Sequence, residues 1–194
     1  MHSNDSDARL LAAVAAGDRH AFDPLIDRHH VAVHRYVARR IGVSEAEDIA
    51  SETFEVAFRR ASAFRPIGDD ARPWLLGIAT NLLRRHARRE AAMYRAYART
   101  GVDAAAVEDI GGDEMHAALA GVLATMRRSH RDALLLYALG ELSYDEVAAA
   151  LDVSVGTVKA WLHRARAVAA DQLNKAGLGP ATATTETTTE SGTL

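Results

Sequence analysis

Residues 142–166, LSYDEVAAALDVSVGTVKAWLHRAR, spell two short amphipathic helices joined by a tight turn, the second ending in a basic run. Ser143 and Glu146 stand at capping-box spacing, which marks the start of the first helix. Val147, Ala148 and Leu151 recur at helical spacing, and the small Ala148 side chain lets a partner helix come close. Asp152, Val153 and Ser154 make the turn, with Ser154 a favourable N-cap for a helix from Val155 onward. Val155, Val158 and Leu162 then face inward, leaving Thr157, Lys159, Ala160, His163, Arg164 and Arg166 outside. A helix-turn-helix sets its second helix into the DNA major groove, N-terminal end first. The competing reading is an ordinary helical hairpin with a solvated basic face. Caps, turn length and basic exit together favour DNA.

Charge distribution supports this more than net charge does. The 194 residues carry a formal charge of −3. Ten arginines nevertheless fall between Arg59 and Arg99, against Asp69, Asp70 and Glu90. Four basic residues lie between Lys159 and Lys175, against Asp171 alone, while residues 100–114 hold five acids and no base. Two basic patches around an acidic stretch predict contact with nucleic acid at two places. The chain has no cysteine, which excludes disulfides, thiolate metal sites and thiol catalysis. No apolar run has the length of a membrane span, and MHSNDSDARL has no signal-peptide pattern, so a soluble, cytoplasmic protein without membrane insertion is expected.

The pattern predicts an all-α chain: two small helical domains, residues 1–99 and 114–175, joined by an acidic flexible linker over 100–113, with a disordered tail over 176–194. Residues 7–41 read as two helices broken at Gly17-Asp18. Ser44 with Glu47 reads as a second capping box, opening a helix to about Phe64. Arg65 to Arg72 is a loop, and Pro73 sits near the start of a long helix whose exit is crowded by Arg84, Arg85, Arg88 and Arg89. Ser129 and Asp132 are read as caps of the helix preceding the helix-turn-helix.

Four stretches in this order, AAGDRHAFDPLIDRHH, EAEDIASETFEVAFRR, ARPWLLGIATNLLRRHARR and LSYDEVAAALDVSVGTVKAWLHRARA, give the chain a strong family likeness. It resembles an extracytoplasmic-function sigma factor, the minimal bacterial transcription initiation factor, over residues 7 to 173. The resemblance implies that the first domain binds a coiled coil on the clamp of core RNA polymerase and reads the −10 promoter element. The second then binds the polymerase flap and reads the −35 element. By position, Asp48, Glu52 and Phe54 lie in the clamp-binding helix. Phe64, Arg65 and Asn81 would build the pocket that holds a flipped base, with Arg84, Arg85, Arg88 and Arg89 along the backbone. An Asn amide offers a donor and an acceptor to a base edge, and the pocket must return the few kcal/mol that unstacking costs. Thr157, Lys159, His163, Arg164 and Arg166 would face the −35 element. Many relatives are held inactive by an anti-sigma protein; nothing in the residues reveals one here. Ala160-Trp161 and Ser51 depart from the residues common in relatives, so neither promoter preference nor the detail of the clamp contact carries over.

A helix-turn-helix regulator that never joins polymerase would not need the acidic EAEDIASETF helix followed by an arginine-rich one. An enzyme is disfavoured too. His30 and His34 are four residues apart and tempt as metal ligands, but no third ligand follows at convincing spacing and the H-E-x-x-H pattern is missing. No cofactor, metal or intrinsic catalysis is expected.

Overall fold

The computed structural model describes residues 5–65, 68–85 and 113–177, and every described element is helical. The first half holds α1 (Asp7–Ala15), α2 (Asp23–Ile41), α3 (Val43–Arg59) and α4 (Arg72–Arg85). The second holds α5 (Asp113–Thr125), α6 (Arg128–Ala138), α7 (Tyr144–Leu151) and α8 (Val155–Lys175). Short 3-10 turns at Arg19–Phe22 and Ala61–Ala63 flank α2 and α3. Of the expected linker only Asp113 is described, and it already belongs to α5; of the expected tail only residues 176 and 177 are. Arg88 and Arg89 lie outside the described residues.

Two local readings are corrected. Ser44 caps nothing: α3 begins one residue earlier, behind Gly42, whose φ of 93° turns the chain between α2 and α3. Glu47 is thereby freed to face His30 and His34 instead, and α3 stops at Arg59 rather than near Phe64. The second correction concerns Asp132, which does not cap α6. It lies inside that helix with 0% exposure, and its carboxylate is spent on two arginines from the first half.

The two helical halves pack against each other. Beyond a smaller apolar cluster of Val122, Met126 and Ala165 within the second half, one cluster runs from Leu10 and Leu11 through Leu75, Leu76 and Leu83 to Leu136, Val147 and Leu162. The reason is close approach of α4 to α7. A Cβ placed on Gly77 would sit 2.4 Å from the carbonyl oxygen of Ala150, so only glycine permits this spacing. Gly77 in the LLGIAT stretch of α4 therefore packs backbone against backbone on the Ala-rich EVAAAL helix.

A buried polar network crosses the same junction. Arg40, 1% exposed, donates to the Tyr36 hydroxyl at 2.8 Å and to Asp132 Oδ1 at 2.7 Å. Tyr36 and Thr80 share a hydrogen bond of 2.8 Å, and burial pushes the Tyr36 phenol above its usual pKa. Arg84 Nε donates to the other carboxylate oxygen of Asp132 at 3.0 Å. Every strongly polar group here has a partner, the condition under which a buried ion pair is tolerated.

Candidate nucleic-acid interface

The second half forms the expected helix-turn-helix. Ser143 Oγ accepts from the Glu146 N–H, while Glu146 accepts from the Ser143 N–H at 2.7 Å, completing the capping box. Asp152 takes the left-handed conformation at φ 54°, and Ser154 Oγ accepts from the Thr157 N–H at 3.2 Å to start α8. Val158, Leu162 and Ala165 are buried. Lys159, His163, Arg164 and Arg166 are exposed, and Thr157 is half-buried with its hydroxyl bonded to Ser154. These side chains do not project equally. Arg166 is drawn back onto Tyr144, whose hydroxyl it reaches at 3.3 Å, and lies 5.3 Å from the Tyr137 ring centre. Lys159, His163 and Arg164 point their cationic or titratable ends outward, with no such tether among the described contacts. Trp161 stays within its own half, 6.4 Å from the His130 ring. His130 itself is pushed below its usual pKa by burial, with further help from the charges of Arg164 and Arg127.

In the first half, Phe64, Arg65, Trp74 and Asn81 line one cavity of about 520 Å³, together with Asp70, Ile78 and residues of α7. Phe64 is buried and meets Trp74 edge-on at 5.2 Å, so this pair forms an apolar wall. Asn81 is exposed, and its side-chain oxygen accepts from Arg84 at 2.9 Å. Arg85 is exposed beyond it. The loop before α4 is held from an unexpected direction. Asp7 accepts from the Ala71 N–H at 2.8 Å, from Arg28 at 2.8 Å and from His29 Nε2 at 2.6 Å. Burial alone would raise the Asp7 pKa; the bond from His29, the Ala71 N–H and the nearby positive charges bring it down to about 2. Asp7, His29 and Asp70 also gather ligand atoms within 4.8 Å of one another. With Arg28 already on the Asp7 carboxylate, the cluster works as a clasp tying the chain start to the cavity loop.

Along α3, Asp48 is exposed and Glu52 half-buried, with Glu52 reaching Arg85 at 3.8 Å. Phe54, on the same helix, is 5% exposed, packs edge-on against Phe22 at 6.4 Å and lines a groove with His30 and Phe58. His30 stacks at 6.1 Å from the Phe54 ring. His30 and His34 share the Glu47 carboxylate at 3.2 and 3.9 Å, a partner that spacing along the chain alone did not reveal.

With that geometry established, the sequence matches the description "Sigma-70 region 2" over residues 25–93 and "Sigma-70, region 4" over residues 116–167. The chain belongs to the sigma-70 family. Within it, the chain is 34% identical over 173 residues to the ECF RNA polymerase sigma factor BldN of Streptomyces coelicolor, covering 83% of this chain and 65% of BldN. It is 30% identical over 183 residues to the ECF RNA polymerase sigma-E factor of Escherichia coli K12, covering 86% and 93%. The fold of this sigma factor is similar to that of CnrH, solved in complex with the cytosolic domain of CnrY, with a TM-score of 0.62 at 28% identity over 88% of this chain and 99% of that one. It also shares its fold with the sigma factor RpoE of Bartonella quintana, solved with the anti-sigma factor NepR, at a TM-score of 0.55 and 20% identity over 79% and 96%. The matched regions coincide with the two halves, so Phe64, Arg65, Trp74 and Asn81 of the cavity fall in region 2, while Ala149, Ala150 and Asp152 on its other side and the whole helix-turn-helix fall in region 4. Among the described residues no helix is long and apolar enough to cross a membrane.

Proposed function

We propose that this sigma factor binds core RNA polymerase in the cytoplasm and directs promoter-specific initiation, adding no catalytic group of its own. The carrying observation is that the chain matches region 2 and region 4 in order, with Asn81 at a cavity in the first and exposed Lys159, His163 and Arg164 on α8 of the second. Region 4 reads the −35 duplex through α8, where a Lys or Arg can address guanine O6 and N7 while phosphate contacts set register. Region 2 receives an unpaired −10 base between the Phe64–Trp74 wall and the Asn81 amide, with Arg65 in the lining and Arg84 and Arg85 following Asn81 on α4 to meet the backbone. The acidic strip of Asp48 and Glu52 meets the polymerase clamp, and Phe54 shapes that helix from beneath.

Each DNA-binding domain alone should bind weakly. Joining them through polymerase makes the second contact effectively intramolecular. The chain should accordingly bind duplex DNA weakly by itself and tightly within the holoenzyme. Co-migration with purified core polymerase in size-exclusion chromatography tests the first step. Reversing the strip with Asp48→Arg and Glu52→Arg should abolish the shared peak while leaving helix content unchanged. A double variant that still co-migrates places the clamp contact elsewhere.

A further inference from the structure

His30 and His34 lack a third metal ligand along the chain, and the fold supplies one from the next helix. They stand on successive turns of α2, half-buried, with rings 22° from parallel and 6.0 Å between centres. Histidines four residues apart on one helix face have the spacing with which a helix offers two ligands to one ion. Both turn Nε2 toward the same carboxylate: Glu47 Oε1 lies 3.2 Å from His30 and Oε2 lies 3.9 Å from His34. Gly42 brings this about by turning the chain between α2 and α3, which sets Glu47 opposite the pair. Ligands held 2.0–2.1 Å from zinc at tetrahedral angles lie about 3.3 Å apart. The His30 contact is already close to that separation. The His34 contact needs to shorten by about 0.6 Å and the two rings to turn toward each other, which their partial exposure permits.

Whether an ion can enter depends on what else claims the carboxylate. Glu47 is exposed and, among the described residues, meets no arginine or lysine. The Asp7 cluster differs, because a cation there would have to displace Arg28 as well as the Ala71 N–H. Phe54, 6.1 Å from the His30 ring, walls the site on one side. We propose that His30, His34 and Glu47 form a binding site for one divalent transition-metal ion of the zinc class, with the fourth position left to water, and that the ion staples α3 to α2. Two imidazoles select against magnesium and calcium, which take oxygen ligands. The chain has no cysteine, so no thiolate competes for the ion. The site stands on these three side chains and does not depend on the promoter or clamp assignments.

Calorimetric titration of the tag-free, metal-stripped full-length protein with Zn²⁺ tests this. One equivalent should bind more tightly than any that follow, and excess Mg²⁺ should not displace it. Zinc should also raise the thermal midpoint, since an ion that binds only the folded chain adds to its stability. Co²⁺ in place of zinc should give the visible d–d bands of a four- or five-coordinate nitrogen–oxygen site rather than the faint bands of the hydrated ion. His34→Ala and Glu47→Gln change half-buried or exposed side chains and should keep their helix content by circular dichroism. Each should lose the tight equivalent, weakening zinc by more than the roughly 10–100-fold that an outer-shell partner is worth. The midpoint of either variant should no longer respond to zinc. No tight equivalent in the wild type, faint cobalt bands, displacement by Mg²⁺, or undiminished zinc binding in either folded variant would each overturn the site.

Discussion

Arg84 donates to the side-chain oxygen of Asn81 at 2.9 Å, one helical turn along α4, where Asn81 lines the cavity. The amide nitrogen remains to donate, and the oxygen retains a second lone pair. The proposed base pocket assigns Asn81 to opening of the duplex rather than to binding it.

Asn81→Ala should leave −35 duplex binding by the holoenzyme unchanged and reduce initiation from a fully paired promoter. A template carrying a pre-melted bubble at −10 should restore the transcript, because the base is already unstacked. Equal loss on both templates would remove Asn81 from the opening step.

Lys159→Ala and Arg164→Ala should weaken −35 recognition. A side chain that reads a base bidentately would cost about 1–3 kcal/mol at one promoter position, whereas one that grips phosphate would lose affinity uniformly and flatten the salt slope. Competition binding of the holoenzyme across single-base −35 variants separates the two. Arg166→Ala should affect DNA less, because Tyr144 and Tyr137 already hold that guanidinium.

Asp7 links stability to acid. Its carboxyl titrates near 2 in the folded chain and near 3.8 without its partners. A lowered folded pKa gives stability that is fully present above about pH 4 and is lost as pH falls toward about 2. The contribution is on the order of 2 kcal/mol. Urea midpoints measured from pH 6 to pH 2 should fall more steeply for the wild type than for Asp7→Asn, which starts lower at neutral pH.

His130 is held below its usual pKa by burial and by Arg164 and Arg127, so its protonation opposes folding of region 4, and that loss grows as pH drops below the unfolded value. DNA phosphate brought against Arg164 would cancel part of that positive field. The His130 ring signals in NMR should therefore titrate at a higher pH in the −35 complex than in the free protein. An unchanged midpoint would mean that Arg164 does not contact phosphate.

Much of this architecture is legible along the chain because local signals there are strong. The helix-turn-helix could be read nearly to the residue, since Ser143, Glu146, Asp152 and Ser154 each satisfy a backbone group within three residues. Phe64, Arg65 and Asn81, grouped from the sequence as a pocket, line one cavity; the −10 base is its proposed occupant. What sequence periodicity misses is tertiary in origin. Ser44 and Asp132 match capping patterns, but Gly42 ends the turn first and Asp132 is claimed by Arg40 from 92 residues away. Phe54 sits on the acidic helix, yet its ring is buried against Phe22 of the 3-10 turn that precedes α2. The seam between halves has one retrospective signal, Gly77 in the middle of an otherwise good helix, where glycine is unfavourable unless close approach demands it.

Run-off transcription with purified core polymerase tests the central claim most directly. Templates fragmented from the source genome should yield discrete transcripts that depend on this protein, disappear in the Lys159→Ala/Arg164→Ala double variant, and share a sequence element near −35. Core enzyme that stays silent on every template, or that starts at the same sites without the protein, would contradict the account.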